Sequence, residues 1–187
     1  MARVDMITLA VSSGEEYLGQ FKFSPEEMRK IVTRVINRTL LAARTEFVKE
    51  TTGHYAVPAK AVRETIAVAN ASKKMLYGRI RMKGKGAIPL LEWGAKQKKK
   101  GVSVRILKSG PRKTIKGAFI NKVGGRDYVL IREGKARYPI RKLYGPGLIS
   151  HISKKEVTWQ MQRRAEEMFR KRLEHEAAYM LARKAKS

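Results

Sequence analysis

One apolar stripe constrains the fold of this chain more than any other feature. Behind Ser24-Pro25-Glu26-Glu27, the residues Met28, Ile31, Val32, Val35, Ile36, Leu40, Ala43, Phe47 and Val48 recur three and four apart. That spacing lines one face of an α-helix. The start is marked as well. Ser24 can accept from a free backbone N–H, Pro25 has no N–H to leave unsatisfied, and Glu27 completes a capping box. The stripe predicts a helix to about Thr51, where Thr52-Gly53 stops it. A chain committed to so long a one-sided helix must supply an apolar layer to cover it.

The C-terminal region repeats the pattern. Val157, Met161, Ala165, Met168, Phe169, Leu173, Ala177 and Met180 form a second stripe, and Ser153 with Glu156 has capping-box spacing. This predicts a helix from Lys154 to about Arg183. Between the helices the period changes to two. Leu76, Gly78, Ile80 and Met82 alternate with Tyr77, Arg79, Arg81 and Lys83, as in a strand with one buried and one basic face.

Other strands are expected at 4–11, 102–107, 115–123 and 128–132, with a hairpin turn at Gly124-Gly125. Phe21 and Phe23 read as a further short strand. Pro58 is expected to open a short helix through Val62, Ile66 and Ala69 to about Ser72. Gly84-Lys85-Gly86 reads as a turn. Residues 88–93 contain Pro89 and read as an edge strand or extended loop, with Trp93 packed in a core. Residues 138–147 read as extended and then broken, with Leu143 and Tyr144 anchored in an apolar site.

This layout is α+β: an antiparallel sheet packed by a long N-terminal helix, with a long C-terminal helix. Residues 1–153 form the expected core domain. Residues 154–187 are expected either to join it or to serve as an assembly arm. A globule of 187 residues has a radius of gyration of roughly 16 Å, and a 30-residue helix is about 45 Å long. The C-terminal helix should therefore overhang, its stripe covered by a neighbouring subunit, and its removal should leave a soluble sheet domain. Met161, Met168, Phe169 and Leu173, with Leu143 and Tyr144, are the candidate subunit contacts.

Charge speaks about partners. The 42 basic and 16 acidic residues leave a net charge of +26, which points to nucleic acid or to acidic protein neighbours. The excess is concentrated: residues 73–117 hold 15 basic residues and one acid, Glu92, whereas residues 1–72 hold 10 and 8. Lys83, Lys85, Lys96, Lys98, Lys99 and Lys100 are the candidate contacts. The last four read as a mobile basic loop between Gly94 and Gly101, with Tyr77, Trp93 or Tyr128 as possible stacking surfaces.

Catalytic chemistry finds little support. Cysteine is absent, which removes disulfides, thiol nucleophiles and thiolate metal sites. His54, His151 and His175 lack metal-ligand spacing and are expected at the surface. No phosphate-binding loop, dinucleotide fingerprint or nucleophile elbow occurs. No enzyme activity, cofactor or metal is expected. No run approaches the length of a membrane span, and residues 1–11 do not read as a secretory signal.

Taken in order, several strings resemble one family. They are Ala43-Arg44-Thr45-Glu46-Phe47, Tyr55-x-Val57 leading to Arg63-x-x-Ile66, Gly78-x-Ile80, Ile88-Pro89-Leu90 and Lys116-Gly117-Ala118-Phe119-Ile120. Arg137-x-Pro139-Ile140-x-x-Leu143-Tyr144-Gly145-Pro146, behind the strand at Val129–Gly134, completes the set. Over about residues 28–183 the chain is similar to the phage minor tail protein Z family. It departs where Gly147-Leu148-Ile149-Ser150 follows Pro146. The resemblance implies a structural protein of a tailed phage or prophage, acting in tail completion at the neck as a homo-oligomeric ring, commonly sixfold. It implies neck and tail-tube proteins as partners, packaged DNA as a sequence-independent contact, and a place in the virion after assembly in the host cytoplasm. The alternative is a basic nucleic-acid-binding protein, for instance ribosome-associated.

Overall fold

The computed structural model describes residues 4–10, 17–83, 87–148 and 155–186. These form nine strands in three small antiparallel sheets, and three α-helices. The chain divides into two compact units.

The first unit comprises Arg3–Phe47, Ile66–Lys83 and His151–Ser187. Helix α1 (Pro25–His54) begins at the expected capping box. The Ser24 N–H donates to Glu27 Oε2 at 2.7 Å and the Glu27 N–H donates to Ser24 Oγ at 3.3 Å. Its stripe is buried from Ile31 to Phe47. The sheet has the order β1-β3-β2, with β1 at Val4–Ala10, β2 at Ile66–Ala69 and β3 at Tyr77–Met82. Strand β3 keeps the predicted alternation, with Gly78, Ile80 and Met82 buried and Arg79 and Arg81 half-buried. In β1 the register shifts between Asp5 and Ile7, so Met6 is an extra residue and the adjacent Met6 and Ile7 are both buried.

Helix α3 (Lys155–Lys184) lies antiparallel to α1. Three ion pairs run down the seam in reversed order: Glu27 to Lys184 at 2.8 Å, Arg38 to Glu176, and Glu46 to Arg164 at 3.2 Å. Gln162 fixes the helix to the sheet. It accepts from the Thr8 N–H at 3.1 Å and donates to the Thr8 carbonyl at 2.9 Å. One amide thereby pairs with the outer edge of β1 as another strand would. The partner that answers the length of α3 is thus α1, also 30 residues long. The expected capping box at Ser153 lies outside the described residues.

The second unit comprises Met1–Ala2, Val48–Thr65 and Gly84–Ser150. It contains helix α2 (Ala59–Glu64), a 3-10 turn at Leu90–Trp93, and two sheets. One sheet has the order β4-β5-β6 (Lys96–Lys98, Gly101–Val104, Lys113–Lys116). The other has the order β7-β8-β9 (Phe119–Val123, Arg126–Arg132, Ile140–Lys142). Trp93 is fully buried, as expected. Its indole meets Tyr55 edge-on at 5.9 Å and donates to the Ile88 carbonyl at 3.3 Å. Gly124 and Gly125 both have positive φ and close the β7–β8 hairpin in two residues.

The structure departs from the sequence expectations at several places. Residues 21–23 form no strand; Tyr17, Phe21 and Phe23 cluster in a turn. The second helix stops at Glu64, and Ile66–Ala69 pairs with β3, because the alternation of β-branched Ile66 and Val68 suits a sheet edge better than a helix stripe. Residues 115–123 are two strands broken at Gly117, whose φ is 74°. The edge strand expected at 88–93 is a single bridge, Pro89 to Tyr144, followed by the 3-10 turn. The turn at 84–86 lies outside the described residues.

Candidate functional site

The four lysines of the expected loop instead belong to a hairpin. Lys96 and Lys98 lie in β4, in register with Ser103 and Gly101 of β5, and Lys99-Lys100 forms the tip. All four are exposed. Composition missed the element because Gln97 holds it. Its side-chain amide donates to the carbonyls of Lys98 and Gly101 at 3.0 and 3.1 Å, and its oxygen accepts from the Ile120 N–H at 2.9 Å. One side chain thus ties the hairpin tip to β7.

The register extends the basic surface. Lys98, Gly101 and Lys116 form one cross-strand row, and Lys96, Ser103 and Thr114 the row two residues along. The pleat places both rows on one face. Two strand spacings separate Lys98 from Lys116, about 10 Å, close to the screening length of physiological salt. Arg112 adds a cation by donating to Ser103 Oγ at 3.0 Å and to the carbonyls of Ser103 and Gly94. The face is an ordered array of positive charge.

Lys83 follows β3 in the first unit and is exposed. Lys85 lies outside the described residues. Of the proposed stacking rings, Trp93 is buried and Tyr77 carries Arg79 at 5.9 Å. Tyr128 carries Lys142 at 4.1 Å. None is assigned to the lysine hairpin.

The apolar candidates divide. Met161, Phe169 and Leu173, expected to be buried at least partly against another subunit, are buried within the chain itself. Met168 and Leu143 are half-buried, and Tyr144 is 51% exposed. The residue buried beyond Pro146 is Leu148. The segment is nevertheless ordered. The Leu143 N–H donates to the Val129 carbonyl at 2.8 Å, and the Gly145 N–H donates to that of Ile88 at 2.9 Å. A Cβ on Gly145 would collide with the Trp93 indole, so any larger residue here forces the ring or the backbone to shift.

Glu176 was not singled out by sequence. It is 4% exposed and faces Arg38 and, at 3.6 Å, Arg34. A carboxylate on an otherwise apolar stripe, Leu173-x-x-Glu176-Ala177, was the available signal. Glu27 has its carboxyl held below the ordinary glutamate range, first by the Lys184 ammonium and then by the Ser24 backbone N–H. His54 and His175 are exposed, and His151 lies outside the described residues. Among the described residues no three His, Asp or Glu side chains converge on a metal site. No described helix is long and apolar enough to cross a membrane.

Comparison with known families supplies the class: the chain matches structural proteins of phage tails. It belongs to the prophage minor tail protein Z (GPZ) family, whose model matches residues 22–186. No curated protein and no solved structure matches the chain. Membership makes it a virion-associated minor tail protein whose partners are other phage structural proteins, and it argues against catalysis.

Proposed function

We propose that this protein completes the head-proximal end of the tail and joins it to the neck as a homo-oligomeric ring. The observation that carries the reading is the family match, which spans α1, α2 and α3 and eight of the nine described strands. Open strand edges support the assembly. The outer strands β4, β6 and β9 of the two sheets in the second unit offer backbone edges to another chain, while Gln97 already caps Ile120 on β7. A head-to-tail contact between identical subunits closes naturally into a ring. Tyr144 and Trp159, 51% and 61% exposed, are the aromatic anchors such a contact would use. The basic hairpin, Lys96 to Lys100, faces packaged DNA or an acidic neighbouring ring. The ribosome-associated alternative has only the net charge in its favour.

Negative-stain imaging of the purified protein, alone and with isolated tail tubes, tests the reading. Rings that cap one end of the tube are the expected result. Particles that stay monomeric and bind the tube along its side, or not at all, would overturn it.

A further inference from the structure

The β7-β8-β9 sheet sorts its charges by face. Asp127 lies opposite Lys122, and Glu133 stands 4.0 Å from Arg141. The pleat puts these residues on one face. The other face carries Arg126, Arg132 and Lys142, all exposed, and no carboxylate. Among the described residues none of these three cations forms an ion pair.

Two of the three are seated on aromatic rings of the same face. Arg132 lies over Phe119 with its guanidinium carbon 4.7 Å from the ring centre, and Lys142 lies over Tyr128 at 4.1 Å. The register explains both. Phe119, Leu130 and Lys142 form one row, so Arg132 and Tyr128, two residues either side of Leu130, are diagonal neighbours of Phe119 and Lys142. A cation over a ring keeps its charge while losing freedom. These two charges are therefore fixed in place. Arg126 and Arg132, six residues apart on β8, mark the ends of a strip about 20 Å long, with Lys142 between them.

We infer that this face binds the phosphate backbone of duplex DNA. A strip of cations, two of them fixed, suits a polyanion with regularly spaced charge. Each strand of a duplex advances about 3.4 Å per phosphate, so the strip spans roughly six phosphates. Protein–protein interfaces are depleted in lysine and, at their core, in charge, whereas DNA interfaces are strongly positive. Single-strand recognition uses open rings to stack bases. Here both rings are already capped, which leaves the backbone of a duplex as the partner. The inference deepens the proposed position beside packaged DNA by naming a second surface, separate from the lysine hairpin.

The test is fluorescence anisotropy of the full-length protein with a random-sequence duplex across a salt series. The variant Arg126→Ser/Arg132→Ser/Lys142→Ser should lower the slope of log affinity against log salt by about 0.9 for each phosphate no longer neutralised, or about 2.7 in all. A control of equal charge, Lys122→Ser/Lys135→Ser/Arg141→Ser, should leave the slope near wild type. Lys142→Arg, alone, should retain it. Equal losses in the two triple variants would mean that only bulk charge matters and would overturn the inference. So would tighter binding to a single strand than to the duplex, or no duplex binding at low salt. Incorporation into tails is scored separately. A first triple variant that binds DNA like wild type but fails to join tails would assign the face to an acidic protein neighbour. Normal DNA results with protein found away from the neck would remove the proposed position and leave the DNA surface standing.

Discussion

Glu176 carries a carboxylate into the apolar seam between α1 and α3, and its energetics follow from how unequal its partners are. It is nearly buried, whereas the side chains of Arg34 and Arg38 are 42% and 58% exposed. Solvent screens the arginines, so the pairing is worth less than a buried ion pair. Removing Arg38 nevertheless strands part of a buried charge. A double-mutant cycle on Arg38→Ala and Glu176→Gln should give a coupling of about 1 kcal/mol, read from urea melts. A coupling of zero would mean that Arg38 and Glu176 do not stabilise one another. Glu27 gives a prediction with a defined sign. Its folded pKa is depressed, so its contribution is complete above the unfolded glutamate value of about 4.3 and lost as pH falls through the folded value. Glu27→Gln keeps the capping geometry but not the charge. The variant should melt below wild type at neutral pH, and the gap should close in acid. A gap that does not narrow as the pH falls through the acid range would refute the account.

At the scale of elements, legibility in the sequence tracked the range of the interactions involved. α1 was readable because its cap and its stripe are local, and both appear as written. The β7–β8 hairpin was readable because two glycines can adopt positive φ where few other residues can. β2 was misread as helix because its fate depends on β3, which arrives eleven residues after it begins. β4 was misread as a free loop because lysine content says nothing about Gln97, whose three hydrogen bonds reach both along the hairpin and across to Ile120. Two consequences are measurable. Gln97→Ala should speed amide exchange at Ile120, whose N–H loses its acceptor, more than within the β4–β5 hairpin, while global stability falls by about 1 kcal/mol. An equal change at Ile120 and in the hairpin would contradict the role given to Gln97. In the 138–147 segment, Gly145→Ala forces a methyl group against Trp93 and should cost about 1–3 kcal/mol by overpacking. Leu143→Asp should also lower stability, whereas Tyr144→Ser, at an exposed ring, should leave the melt within about 0.5 kcal/mol of wild type. Any tail-assembly defect of that last variant would then report an interface with another protein.

At the scale of the whole molecule, the question is what α3 is for. Its length alone suggests an arm that waits for a neighbouring subunit. The structure supplies cover from within: Met161, Ala165, Phe169, Leu173 and Ala177 are buried in the chain, Gln162 caps Thr8 on the edge of β1, and ion pairs join α3 to α1 from Glu27 to Glu46. Each large apolar side chain on such a seam is worth a few kcal/mol; Leu173→Ala should cost about 2–5 and Phe169→Ala about 3–5. A domain is stable by only about 5–15 kcal/mol in total, so it cannot lose the whole helix and stay folded. Deleting residues 154–187 should therefore unfold the first unit rather than release a soluble sheet domain. The expected signs are loss of the cooperative melt, dye binding to exposed apolar surface, and aggregation. A truncated protein that stays soluble, melts cooperatively and lacks only the ability to form rings would restore the arm reading and refute the internal one. The consequence for assembly is concrete. A truncation phenotype in tails reports folding, and the subunit contact must be sought with substitutions that spare the seam. Trp159→Ser, at the exposed start of α3, is the sharper probe: it should leave the melt unchanged, and it tests ring formation directly.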